Sequence, residues 1–281
     1  MSAAPITNAL TIDVEDYFQV SAFAPHIERT GWDRRECRVE RNVERILELL
    51  AAHQVRATFF TLGWIAERYP ALVGHIVAGG HELASHGYGH ERIGDLSMSA
   101  FEHDVCRAKA LLEDVAGVEV RGYRAPSFSI GPGSLWAHEV LARTGHRYSS
   151  SVYPVRHDHY GMPDAPRFAH AVRADLLELP PTTVRLLNRN LPASGGGYFR
   201  LLPYGVSRWL LRQVNQRERQ PAIFYFHPWE IDAGQPRVSG IGVKTRFRHY
   251  VNIGRTEARL ERLLQDFRWG RMDEIFLPPQ A

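Results

Sequence analysis

The sequence has little of several features that mark common protein classes. Only two of its 281 residues are cysteine, too few for a disulfide framework or a four-cysteine zinc site. The longest apolar run, residues 222–226, is far shorter than the ~20 residues of a membrane span. The 34 Lys and Arg nearly balance the 31 Asp and Glu, which leaves a net charge of +3. We therefore expect no nucleic-acid partner, no integral membrane segment and two buried, reduced thiols, Cys37 and Cys106.

The amino terminus also lacks a basic segment followed by an apolar one, the pattern of a secretory signal. We therefore expect a cytoplasmic location. With 44% hydrophobic and 23% charged residues, the composition is that of a globular protein and excludes collagen-like and disordered chains. The length allows two domains or one large α/β domain.

Apolar, β-branched runs alternate with segments of helical periodicity, which predicts parallel strands joined by crossover helices. This pattern is typical of a (β/α) barrel or an open doubly wound sheet. The glycines at 195–197 lack the Lys-Ser/Thr of a phosphate loop, so no nucleotide is expected. Residues 154–174 are polar and irregular, and they are either a disordered loop or a flap over the substrate. The predicted strands are 9–13, 55–62, 81–85, 118–123, 148–153, 176–179 and 222–226, and the predicted helices are 43–50, 71–78, 99–116, 134–144, 203–215 and 256–267.

Three carboxylates follow the first predicted strand, at Asp13, Glu15 and Asp16. So many acidic groups within four residues repel one another, and a bound cation or a shared proton relieves that repulsion. Strand alternation places Asp13 and Glu15 on the same face. An acidic turn that caps a helix is the alternative interpretation.

Two histidines, His86 and His90, follow the third predicted strand. Their spacing places two imidazoles on one face of a helical turn, where they can chelate zinc. Gly87 and Gly89 favour a loop that enters a helix over a regular helix. With one carboxylate from the acidic cluster, the two histidines predict a catalytic metal site with open coordination positions.

Two further polar clusters lie where later strands end. Arg124 is close to Pro126, and together they form a rigid element that can hold a carboxylate in place. A structural salt bridge formed by Arg124 is the alternative interpretation. His227 follows a strongly apolar strand beside Trp229 and is placed to act as a general acid, although a hydrogen-bonded core histidine is the alternative.

The order and spacing of these motifs resemble the NodB-type polysaccharide deacetylases, a carbohydrate esterase family of metal-dependent N-deacetylases. A subgroup found with bacterial exopolysaccharide gene clusters is similar in further segments. These are LTIDVEDYFQV, ATFFTLGWIAERYP, GHELASHGYGH, RGYRAPSFSI, GGGYFRLLPY and FYFHPWEID. The resemblance implies an α/β fold, a distorted and incomplete (β/α) barrel. It also implies a single domain over residues 1–281, with a core at about 8–232 and a carboxy-terminal helical extension at about 233–281.

The resemblance also implies a role for each matching residue. Asp13 corresponds to the catalytic base, Arg124 to the arginine that positions this base, and His227 to the general acid. His86 and His90 correspond to the two metal-binding histidines.

The chain departs from the family pattern at two places. Typical members have a second aspartate, a metal ligand, where this chain has Val14. Glu15 is our first choice for that ligand because it shares a strand face with the base, and Asp16 is the second. An aspartate–tryptophan motif that backs the arginine is not evident, and Glu178 is the candidate replacement.

The implied reaction hydrolyses the acetamide of an N-acetylated amino sugar, in a poly- or oligosaccharide or its precursor, and releases acetate. Zinc is the favoured metal, with cobalt, manganese, nickel and iron as alternatives. A backbone N–H near Ser127 would stabilise the oxyanion. Residues that flank the motifs are expected to contact the sugar: Pro126, Ser127, Phe128, Trp229 and Tyr88, with Trp64 and Tyr198 as further stacking candidates.

Two other functions fit the same residues. One is a metal-dependent hydrolase of a non-sugar amide. The other is a carbohydrate-binding or assembly protein with a degenerate metal site, which the departure at Val14 brings into consideration. A panel of sugar and non-sugar substrates separates the two hydrolases, and the binding protein predicts sugar affinity without acetate release.

Overall fold

The computed structural model describes residues 5–157 and 161–278. Strands and helices alternate along much of the described chain. The strands are β1 (Thr7–Val14), β2 (Thr58–Thr61), β3 (Glu82–Ser85), β4 (Gly122–Tyr123), β5 (Tyr148–Ser149), β6 (His170–Arg173), β7 (Leu176–Glu178), β8 (Thr183–Leu186), β9 (Arg189–Pro192), β10 (Ile223–Phe226) and β11 (Arg268–Gly270). The α-helices are α1 (Val39–Ala52), α2 (Gly63–Arg68), α3 (Pro70–Ala78), α4 (Met98–Ala116), α5 (Ala137–Arg143), α6 (Gly196–Leu201), α7 (Tyr204–Arg212), α8 (Val243–Tyr250), α9 (Thr256–Asp266) and α10 (Met272–Phe276). Within the described ranges, none of these helices has the length and apolar character needed to span a bilayer.

The main sheet has the strand order β10-β1-β2-β3-β4-β5-β7-β6, and β11 pairs with the start of β1. All neighbours are parallel except β6 and β7, which are antiparallel. Over the described residues the two end strands, β10 and β6, do not pair, so the curled sheet does not close. This confirms the predicted distorted, incomplete (β/α) barrel with a carboxy-terminal helical region. The hairpin of β8 and β9 forms a separate two-stranded sheet.

Several local predictions were wrong. The capping-box spacing of Ser99 and Glu102 predicts that Ser99 caps α4. Ser97 caps the helix instead, and its side chain accepts a hydrogen bond from Ala100 N. Cys106 is exposed and Cys37 is half-buried, so the prediction of two buried thiols fails, although both are free. The irregular stretch at 154–174 contains β6, and its residues 158–160 lie outside the described chain.

The sheet register brings the carboxyl ends of four strands to the same edge. Ile12 of β1 pairs with Phe226 of β10, and Asp13 pairs with Phe60 of β2. Ser85 of β3 in turn pairs with Tyr123 of β4. Because polar residues follow each of β1, β3, β4 and β10, these residues meet above one edge of the barrel.

Candidate active site and metal centre

Glu15, His86 and His90 form a buried cluster at this edge. One ligand atom from each residue lies within 4.8 Å of the other two. His90 Nε2 lies 2.7 Å from Glu15 Oε2, yet that buried oxygen accepts no properly angled hydrogen bond from any described residue. Two imidazoles and one carboxylate are a donor set that divalent transition metals bind. The donor chemistry and the close approach of the three ligand atoms therefore fit a metal ion.

Hydrogen bonds behind the cluster fix the orientation of its members. His86 Nδ1 lies 2.7 Å from the carbonyl oxygen of Arg124, which leaves Nε2 to face the cluster. Burial lowers the pKa of His86 to about 4, so the ring is neutral at pH 7 and can act as a ligand. Burial alone would raise the pKa of Glu15, but the charges of His90 and His227 lower it to about 2, so this carboxylate is ionised.

Asp16, our second choice for the carboxylate ligand, does not join the cluster. Its side chain accepts hydrogen bonds from the backbone N–H groups of Tyr17, Arg38 and Val39. The carboxylate therefore caps the 3₁₀ turn after β1 and ties it to the start of α1. The capping interpretation of the acidic cluster thus applies to Asp16, whereas Glu15 faces the histidines.

Asp13 forms a buried ion pair with Arg124. The guanidinium Nη1 lies 2.5 Å from Asp13 Oδ1 and 2.8 Å from Thr11 Oγ1. Arg124 is 0% exposed, and its Nη2 donates to Ser150 Oγ. The fixed guanidinium holds one oxygen of Asp13 and leaves Oδ2 facing the centre of the site.

Glu178 does not contact Arg124, which corrects the expectation that it backs the arginine. Its Oε1 accepts from the backbone N–H groups of Ser151 and Val152, and His138 Nε2 lies 3.0 Å from its Oε2. Glu178 therefore supports the segment that follows Ser150, and any effect on Arg124 passes through that segment.

His227 faces both carboxylates of the site. Its Nε2 lies 3.9 Å from Asp13 Oδ2 and 3.5 Å from Glu15 Oε1. Its Nδ1 lies 3.4 Å from Glu230 Oε1. Burial alone would lower the pKa of His227, but the negative charges of Glu15 and Glu230 raise it to about 9. The ring is therefore protonated at neutral pH, as a general acid must be.

Glu230 is a residue of the site that the sequence analysis missed. It is buried beside Arg200, whose Nη2 lies 3.4 Å from Glu230 Oε1. A side chain at Gly196 would collide with Glu230, and one at Gly195 would collide with the ring of Tyr225. Gly195 and Gly196 thus allow α6 to approach the site closely. The position of Glu230 three residues after His227 was the available signal.

Glu230→Gln is expected to lower kcat about ten- to hundredfold, because a hydrogen bond to a charged group is lost. One negative charge that raises the pKa of His227 is also removed. The rate falls as this acid loses its proton, so the alkaline limb of the pH–rate profile moves to lower pH. Glu218→Gln, which removes a carboxylate paired with Arg167 instead, is the matched control and should leave the profile unchanged. An unshifted profile for Glu230→Gln would remove Glu230 from the site.

Trp229, one of the residues expected to contact the sugar, is buried between His227 and the carboxy-terminal extension. Its ring stacks on His227 at 5.1 Å and on His249 of α8 at 4.2 Å. Its Nε1 donates to Glu15 Oε1 over 3.2 Å. His249 is a second residue that the sequence analysis did not assign to the site. Trp229 therefore contacts the Glu15 carboxylate, the proposed acid His227 and the carboxy-terminal extension.

The other residues that are expected to contact the substrate differ in burial and in their neighbours. Phe128 is buried against Tyr153 and Tyr225, and Pro126 is also buried. Ser127 has a left-handed backbone with φ of 54°, and its Oγ lies 2.6 Å from Ser21 Oγ. Tyr88 and Trp64 line a cavity of about 620 Å³ next to His90, and Tyr198 is half-buried on α6. The packing of Phe128 and Pro126 argues against direct contact with a sugar ring.

Comparisons with known proteins divide the chain into two parts. Residues 30–148 match the model of the polysaccharide deacetylase family, and residues 150–277 match a domain of unknown function (DUF3473). The peptidoglycan-N-acetylglucosamine deacetylase of Bacillus cereus is 32% identical over 34% of this chain and 35% of its own length. The chitooligosaccharide deacetylase of Azorhizobium caulinodans is 29% identical over 52% of this chain and 67% of its own length. The chain thus spans about a third of the first relative and two thirds of the second.

Solved structures share the fold over nearly the whole chain. One from Mycobacterium smegmatis, described as a polysaccharide deacetylase, superposes with a TM-score of 0.63 at 22% identity, over 98% of this chain and 93% of its own. A peptidoglycan deacetylase from Bacillus subtilis has a TM-score of 0.52 at 12% identity, over 98% and 92% of the two chains. At these identities the likeness concerns the fold alone.

Proposed function

Since residues 30–148 match the model of the polysaccharide deacetylase family, we propose that the chain belongs to this family and hydrolyses the acetamide of an N-acetylated amino sugar. The substrate would be a poly- or oligosaccharide or its precursor, and the products acetate and a free amino sugar. The observation that carries this proposal is the buried grouping of Glu15, His86 and His90 beside Asp13 and His227.

Each polar residue around the cluster has one task in this proposal. Asp13 Oδ2 accepts a proton from the water that attacks the acetyl carbonyl, while Arg124 keeps the carboxylate oriented. His227 donates a proton from Nε2 to the sugar nitrogen as the C–N bond breaks. Glu230 contacts Nδ1 of His227, and Trp229 stacks on a face of the same imidazole ring.

A divalent cation would be held by Glu15, His86 and His90. When bound, it would lower the pKa of a water molecule to about 7 and polarise the acetyl oxygen. Zinc is the proposed ion, because two imidazoles and a carboxylate suit it.

Acetate release tests this proposal directly. N-Acetylglucosamine oligomers incubated with the purified protein and zinc are expected to lose acetyl groups, which mass spectrometry detects together with equimolar acetate and free amine. Chelation should abolish the release, and added zinc should restore it. Release from a non-sugar acetamide but from no sugar would favour the general amidase. Binding of oligomers without release in the zinc-loaded protein would favour the carbohydrate-binding protein.

We also propose that residues 1–281 act as one domain, with the extension from about residue 233 completing the site through His249. The contact of His249 with Trp229 supports this proposal. A cytoplasmic role in exopolysaccharide biosynthesis, before export of the polymer, belongs to the same proposal.

A further inference from the structure

The carboxy-terminal extension contains a stretch with charge of one sign. Residues 233–256 include five Lys or Arg and no Asp or Glu, although the chain as a whole carries only +3. The near balance of positive and negative residues over the whole chain gave no indication of a charged surface. The extension nevertheless contains a strongly basic segment. Helix α8 lies in the middle of this segment.

Helix α8 exposes apolar side chains within this basic segment. Val243 is 85% exposed and Phe247 is 56% exposed. They are four residues apart, so they lie on the same face of the helix. Water contact with two neighbouring apolar side chains is unfavourable, and such a pair on a charged helix marks an interaction surface.

Basic residues flank this apolar pair on both sides. Successive residues of an α-helix are rotated by about 100° around its axis. Arg246 therefore lies on one side of the apolar pair, and Lys244 and Arg248 lie on the other. All three are exposed. His249 is buried on the opposite side of the helix, where it stacks on Trp229. The outward face of α8 is thus an apolar stripe between two rows of cations.

This face lies close to the candidate active site. The stack from His249 through Trp229 to His227 connects the inner side of α8 with the proposed acid. Helix α6 contacts α8, and Leu201 at its end is exposed as well. A surface bound to the outer face of α8 would therefore be separated from the proposed acid by α8 and this stack.

We propose that the outer face of α8 docks onto an anionic lipid surface. An interfacial helix inserts its apolar side chains between lipid headgroups while flanking Lys and Arg contact the lipid phosphates. The cations of α8 complement the negative charge of such a surface, and Val243 and Phe247 fit its acyl boundary. A soluble acidic polymer would satisfy the cations but would give Val243 no apolar partner. The inference depends on α8 alone and not on the reaction at the metal centre.

Vesicle sedimentation of the full, zinc-loaded chain tests this proposal. The protein is expected to sediment with vesicles of equal parts phosphatidylglycerol and phosphatidylcholine, and much less with phosphatidylcholine alone. Added salt should release it, because the cations contribute to binding. Equal sedimentation with both vesicles, or with neither, would overturn the proposal.

Two variants divide the effect into its apolar and basic parts. Val243→Ser with Phe247→Ser should weaken partitioning at least about tenfold, since the inserted apolar area is lost. Lys244→Gln, Arg246→Gln and Arg248→Gln together should weaken it about fivefold for each charge removed. Leu187→Ser, at a residue 90% exposed between β8 and β9, is the matched control and should bind as the wild type does.

The pattern across these variants decides the kind of partner. If only the variant with the three Gln substitutions loses binding, the interaction depends on charge alone. The partner would then be a soluble acidic polymer instead of a lipid surface. The serine double variant should keep its thermal stability and its hydrolysis of soluble oligosaccharides. A serine double variant that still hydrolyses oligosaccharides but no longer sediments would show that membrane docking and hydrolysis are independent. Absence of hydrolysis in every variant would contradict only the proposed function.

Discussion

Asp13→Asn is expected to lower kcat for acetate release by about 10²–10⁴-fold, the contribution typical of a general base. The amide cannot accept the proton of the attacking water, although it has nearly the shape of the carboxylate. Asp13 is not one of the three metal-cluster residues, so bound metal should stay at the wild-type level. Turnover and metal content measured on the same preparation would test both statements.

This substitution also leaves the Arg124 guanidinium without its buried counter-charge, which lowers stability. A melting curve must therefore accompany the kinetic measurement. Asp16→Asn is the matched control, because it changes a nearby buried carboxylate that caps the turn after β1. It should cost about 1 kcal/mol of stability and keep both metal and turnover. Turnover of Asp13→Asn within about tenfold of wild type would show that Asp13 is not the base.

His86→Ala is expected to remove stoichiometric metal and to lower acetate release at least about 10³-fold, because the electrostatic help of the ion is lost. The substitution deletes one of two imidazole ligands and frees the carbonyl of Arg124. Metal analysis after dialysis, together with the rate of acetate release, measures the effect.

His146→Ala is the matched control for this second prediction. His146 is also buried, and burial lowers its pKa to about 3, but it lies outside the metal cluster. The control should keep both metal and activity. A His86→Ala protein that retains metal and wild-type turnover would exclude His86 from the centre.

Local sequence patterns predicted the parts of the fold that depend on neighbouring residues. The apolar runs of β1 and β10 are buried on both faces, as strands of a parallel sheet are. The clusters at Asp13, His86 and Arg124 follow strands whose carboxyl ends meet, so alternation alone places them at one edge. Strand alternation also pointed to Glu15 as the carboxylate ligand, and the structure places it directly after β1 and beside the histidines.

Contacts between distant parts of the chain could not be predicted in this way. His249 reaches Trp229 only because the extension folds back behind the β10 end. Glu230 contacts Arg200 because Gly195 and Gly196 leave room for α6 beside the site. No periodicity in the sequence indicates this close approach. The local pattern also treated Trp229 as a free aromatic side chain, whereas two histidine rings cover it. The short strands β8 and β9 have no strong apolar alternation, and their pairing depends on the hairpin turn.

The central claim is that one divalent ion at Glu15, His86 and His90 enables deacetylation. Its most direct test is a titration of chelated protein with zinc, in which acetate release from N-acetylglucosamine oligomers is followed at each addition. We expect the rate to start near zero, to rise linearly, and to saturate at one equivalent of zinc per chain. Full acetate release in the chelated protein, or none after saturation with zinc, cobalt or manganese, would contradict the claim.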